Sequence, residues 1–141
     1  MRHAKKTCKL GRTGAHKRAM FSNMLKSLIE HEKIKTTTTK AKELKRHADK
    51  MITLAKKDTL ASKRLASGYL RIRYNSLTPR EKKMAKEGDI SSYNIDRKVI
   101  SKLFTDLKDR YKDRNGGYTR LVKMHARIGD GAEKCIVEYI K

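Results

Sequence analysis

The chain has no tryptophan, one proline, two phenylalanines and two cysteines in 141 residues, and no carboxylate precedes Glu30. Each scarcity removes a class of protein. Cys8 and Cys135 lie far apart and belong to no CxxC or Cys/His spacing, so neither a disulfide framework nor a structural zinc is expected, and the thiols fit a reducing compartment. Six tyrosines and two phenylalanines are too few for the stacked sheets of single-strand binders or RNA-recognition motifs. No apolar run approaches the roughly 18 residues of a spanning helix and no lipidation motif is present, so no membrane partner is expected. The N-terminus lacks the apolar core of a secretory signal. Its basic, acid-free character suits an organellar transit peptide, but it is neither Ser-rich nor clearly amphipathic. A cytoplasmic location is expected.

Catalytic patterns are also missing. His3, His16, His31, His47 and His125 are scattered and form no HExxH, and no Ser, His and acid group stands out as a triad. "GDG" and "NGG" are turn chemistry, not a phosphate-loop fingerprint. The acids fall among lysines on helix faces, as surface ion pairs do, instead of clustering for metal ions. No enzyme activity, metal, cofactor or small-molecule substrate is expected.

What the chain does have is cation: 37 Lys and Arg against 15 acids, a formal net charge of +22. Such an excess opposes folding by self-repulsion unless an anionic partner screens it, and nucleic acid is the leading candidate. Residues 1–14 read as a basic arm, interrupted by Gly11 and Gly14 and too polar to offset its chain entropy. If about ten cations met phosphates, the logarithm of affinity would fall with log salt at a slope of roughly −7 to −9. A DNA-binding reading would need a helix-turn-helix pair with base-reading side chains, and none is located.

Residues 15–141 read as one domain. Met20, Met24 and Leu28, flanked by Phe21, Leu25 and Ile29, give an apolar helical stripe whose first turn carries His16, Lys17 and Arg18, against the helix dipole. "KIKTTTT" suits a short strand, with Thr38 or Thr39 capping the next helix. That helix places Ala41, Leu44, Ala48, Met51, Ile52 and Ala55 on one face. Asp58 is the expected N-cap of a third helix. Residues 73–93 form a charged segment, whose Thr78, Pro79 and Glu81 spell a capping box. Ile95, Val99, Leu103 and Leu107 mark a further helix. Tyr118 to Ile128 and "EKCIVEYIK", separated by "GDG", form a C-terminal hairpin. The expected fold is α+β: a two-layer sandwich of several helices on a small mixed sheet. Tyr118, beside Gly116 and Gly117, fits equally a stacked or sugar-contacting aromatic and a lid on the core.

The order of short motifs carries a resemblance. Met1-Arg2-His3, "LGR" at Leu10 to Arg12, His16 to Met20, Asn23-Met24, "IKTT" at Ile34 to Thr37 and "KAKEL" at Lys40 to Leu44 succeed one another. Then follow "ITLAK" at Ile52 to Lys56, Lys102 to Phe104, "GGYTR" at Gly116 to Arg120 and "GDGA" at Gly129 to Ala132. In that order and spacing the chain resembles the bacterial large-subunit ribosomal protein seventeen family. The resemblance implies a non-catalytic constituent of the large ribosomal subunit. It would bind large-subunit ribosomal RNA beside other subunit proteins, near the mouth of the polypeptide exit tunnel. It carries RNA contacts onto Arg2, His3, Arg12, His16, Lys17, Arg18, Asn23, Lys35, Thr36, Lys40, Gly116, Gly117, Tyr118 and Arg120. Charge alone adds Lys5, Lys6, Lys9, Lys42, Arg46 and Arg114. Two departures stand out: residues 73–93 look inserted relative to shorter members, and Gly14 stands where a capping serine is commoner.

Overall fold

Thr13 starts the first helix. Its hydroxyl accepts a bond from the His16 amide at 3.4 Å, and α1 runs Gly14–His31. The cap is therefore one residue before Gly14, which needs no hydroxyl of its own. The computed structural model describes residues 9–141. Arg2, His3, Lys5, Lys6 and most of the expected arm 1–14 lie outside the described residues.

Glu32, with φ of 58°, ends α1 in the left-handed conformation and turns the chain into strand β1, Lys33–Thr37. α2, Thr38–Lys57, follows without a side-chain cap. Neither Thr38 nor Thr39 caps it. The Thr38 amide instead donates to the Glu133 carbonyl at 3.1 Å, tying the helix start to the loop before the last strand. All six residues expected on the apolar face of α2 are buried, and α2 packs against α1, α3 and every strand. Asp58 is not an N-cap either. Its left-handed φ of 44° excludes the extended geometry a cap requires, and it closes α2 instead. Thr59 caps α3, Leu60–Leu70, through the Ser62 amide at 3.1 Å.

The charged segment contains α4, Pro79–Lys86, with the expected capping box at Thr78 and Glu81 and no buried residue. Its stem is latched. Arg97 donates to the Asn75 carboxamide oxygen at 2.9 Å and carbonyl at 2.7 Å, with its guanidinium 4.8 Å from the Tyr74 ring centroid. The next helix, α5 (Ile95–Lys102), continues through a π-helical turn at Leu103–Leu107 and a last α turn at Lys108–Arg110. Its buried residues are Val99, Leu103, Leu107 and Tyr111, a strict spacing of four. In an α-helix that spacing drifts about 40° per step. The wider π turn cancels part of the drift and keeps the stripe on the core.

Strands β2, Thr119–Lys123, and β3, Lys134–Tyr139, form the expected hairpin, and β1 joins its far side in the order β1-β3-β2. The class is α+β as expected, but the sheet is antiparallel throughout and not mixed: β3 lies in the centre and both neighbours run against it. Cys135, Val137 and Tyr139 face the helices, while Lys134, Ile136 and Glu138 face outward. β2 ends at Lys123, short of the expected Ile128, because the chain from Met124 turns through the loop closed by the Gly131 amide on the Arg127 carbonyl, 2.9 Å.

Candidate nucleic-acid interface

The first turn of α2 meets the ordered end of the arm. Lys9 and Leu10, Thr37 to Thr39, Lys42, Arg46, Ala132 and Glu133 line a groove of about 690 Å3. Lys42 and Arg46 stand here because the opposite side of α2 is committed to the core, so positions four apart fall on one solvent face. The positive end of the α2 dipole faces the same groove. Two acids share the groove. Glu43 is occupied by Arg46 at 2.9 Å and faces the His47 imidazole at 3.6 Å, and Glu133 lends its carbonyl to Thr38.

Across Glu43 lies a second groove, between α1, α2 and α3, with Lys17 and Arg18 at its mouth. The expected cations Lys9, Lys17, Arg18, Lys42 and Arg46 therefore line two adjoining grooves. Arg12, His16 and Asn23 are exposed on or before α1; Lys40 is half-buried in the first turn of α2.

The remaining candidates lie elsewhere. Lys35 and Arg120 face outward on the sheet, and Arg120 is held by Glu138, whose carboxyl it keeps below the usual range. Thr36 pairs with Cys135 on the inner face. Arg114, Gly116 and Gly117 form a loop at the other end of α2, where Lys56 donates to the Arg114 carbonyl at 2.7 Å. A helix of this length separates the two ends by about 30 Å. Arg114 donates to the Gly116 carbonyl at 3.1 Å, and both glycines, exposed at φ of 152° and 60°, hold conformations that side chains resist. Tyr118 is only 3% exposed, with its ring 5.1 Å from that of Tyr111. Of its two readings this burial favours the lid on the core over the stacked aromatic.

Sequence reasoning missed Arg71, at the left-handed end of α3, and the Lys57 and Asn115 pair flanking the glycine loop. The cation-rich last turn of α2 was the available signal for Lys57. Most acids are spent on internal partners. Glu32 is pulled down to about 2 by its bonds from Arg110, burial opposing and Lys102 assisting. Asp58 is pulled down to about 2 by Lys108 and then Lys63. Surplus cation is left to the surface. Among the described residues, no group of His, Cys, Asp or Glu is placed to hold a metal ion, and no helix is long and apolar enough to cross a membrane.

Comparison with known proteins decides the family. The family model described as ribosomal protein L17 matches residues 20–140. The chain belongs to the ribosomal protein L17 family. Its relatives include the large ribosomal subunit protein bL17 of Chlamydia abortus (strain DSM 27085 / S26/3), 62% identical over 140 residues and 99% of each chain. The proteins of the same name from Chlamydia trachomatis serovar D and Chlamydia pneumoniae are 59% and 58% identical, again over 99% of both chains. The L17 family is one of structural, non-enzymatic ribosomal proteins. The similarity to these relatives runs through residues 73–93 as well.

Proposed function

We propose that this protein is a structural constituent of the large ribosomal subunit that binds large-subunit ribosomal RNA and supports subunit assembly in the cytoplasm. Its relatives bear the name of a large-subunit protein. The observation that carries the RNA reading is the groove at the start of α2, where Lys9, Lys42 and Arg46 converge on a helix N-terminus. Phosphate oxygens accept from the Lys9 and Lys42 ammonium groups, and their negative charge offsets a +22 chain. Among the described residues, few exposed rings and no base-reading helix pair favour recognition of phosphate and shape.

The position near the exit tunnel, beside other large-subunit proteins, rests on the family resemblance alone. A photoreactive nascent chain crosslinking to this protein on translating ribosomes would support it.

The RNA reading is tested by filter binding to transcripts of large-subunit RNA domains at several salt concentrations. One domain should bind best, with log affinity falling at a slope of roughly −7 to −9 if about ten cations are engaged. Equal, weak binding to every domain and to DNA would contradict it.

A further inference from the structure

The groove between α1, α2 and α3 differs from the one at the start of α2. It measures about 360 Å3, at the low end of the roughly 300–1,000 Å3 of small-ligand sites. One wall is aromatic: the Phe21 and His47 rings lie 5.3 Å apart and tilted by 38°. Tyr69, 42% exposed, also lines it, with the Lys50 ammonium 4.4 Å from its ring centroid and bonded to its hydroxyl. Arg18 and Arg71 rim the opening, and the single acid there, Glu43, is engaged by Arg46.

Gly68, exposed on α3, also lines the groove. It lies inside α3, its φ is not positive, and a Cβ there would meet nothing within 4 Å. Glycine is among the poorest helix formers. The open space at Gly68 leaves that side of the groove clear of side chain. The walls are fixed in advance. Ser22 donates to the Leu70 carbonyl at 2.7 Å and Lys26 to the Arg71 carbonyl at 3.3 Å, pinning the end of α3 to α1.

We propose that this groove takes one unstacked nucleotide of RNA, its base against the His47 and Tyr69 rings beside Gly68, its phosphate on Arg18 and Arg71. Aromatic side chains suit a planar base, and a cationic rim suits the phosphate beside it. Burial holds the His47 imidazole below its ordinary range, so it faces the base as a neutral ring at pH 7. The volume is too small for a partner helix. The inference rests on the RNA-binding reading and adds to it a preference for looped-out nucleotides, whose bases are already unstacked.

The test uses the full chain and two RNA hairpins, one fully paired and one with a single bulged 2-aminopurine. The wild type should bind the bulged hairpin about tenfold more tightly, the effect of one base–aromatic stack, with a change in 2-aminopurine fluorescence. Gly68→Leu, which places a side chain in the groove, should abolish that preference while binding the paired hairpin as the wild type does. Tyr69→Ser, at an exposed ring, provides the same reading if the leucine disturbs α3. Equal wild-type affinity for both hairpins would overturn the nucleotide site and leave the RNA-binding reading intact; a neighbouring protein's side chain as occupant gives that result. A bulge preference that survives both variants would also overturn it. Failure of either hairpin to bind near 0.1 M salt would bring down the RNA-binding reading, and the site with it.

Discussion

Glu32 and Arg110 join the end of α1 to the end of the α5 continuation through two bonds of 2.7 and 3.1 Å, and Lys102 adds a third cationic contact at 2.9 Å. The same Glu32 carbonyl accepts the Tyr139 amide at 3.0 Å. One residue at a left-handed turn thus fastens helix, helix and central strand. Its carboxyl sits at about 2 instead of 4.5. A depressed pKa contributes stability that is fully present above the unfolded value and is lost as pH falls through the folded one. Thermal stability should therefore decline between about pH 4.5 and 2, and Glu32→Gln should be less stable at pH 7 with a smaller decline across that window. Melting curves at successive pH values check both slopes.

Leu107 is fully buried on the π-helical turn. Leu107→Ala should cost about 2–5 kcal/mol, as for other large-to-small core changes, measured by urea unfolding. Removing one residue from Leu103–Leu107 to restore a regular α-helix would leave Val99 and Tyr111 within about 20° of one face, and should destabilise less than Leu107→Ala.

Lys42 is exposed in the groove at the start of α2, whereas Arg120 is already bound by Glu138. Lys42→Ala should weaken RNA binding and reduce the magnitude of the salt slope by about 1. Arg120→Ala should change that slope less. Filter binding across salt concentrations separates the two.

Tyr118 belongs to the core through Tyr111. Tyr118→Ala should cost about 3–5 kcal/mol of stability, in the range of other buried aromatic truncations. Tyr118→Phe should keep RNA affinity within twofold, a change of about 0.4 kcal/mol. A larger loss in the phenylalanine variant would place the hydroxyl on RNA.

Residues 73–93 are closed at their base, where the Asn94 carboxamide donates to the Arg73 carbonyl at 2.7 Å. Because α4 buries nothing, a short glycine bridge replacing the segment should spare incorporation into large subunits in cells. Arg97→Ala should lower amide-exchange protection in α4 and leave that of α2 unchanged.

Periodicity carried the parts of the fold that depend on one segment alone. The α2 face and the Thr78–Glu81 box were legible because a helix stripe and its cap are written within a few residues. Asp58 misled because Asp serves both as an N-cap and as a left-handed terminator, and only the backbone angle separates the two. Thr38 lost its capping role to a carbonyl 95 residues away, a contact invisible to local pattern. The π turn showed in the sequence only as a spacing of four. For the interface, the acid-free start and the early cations were legible as charge, but the two grooves exist only where α2 meets the arm and α3. Tyr118 shows the limit most clearly. Next to Gly116 and Gly117 it carries the same letters whether the ring turns to RNA or to Tyr111.

The most direct test of the central claim is sedimentation of a tagged copy from cell lysate through a sucrose gradient, with the fractions washed at about 0.5 M salt, where the Debye length is only about 4–5 Å. The account predicts stoichiometric retention in the large-subunit peak. Loss from that peak after the wash, or recovery with DNA, would contradict it and reduce the +22 charge to loose polyanion binding.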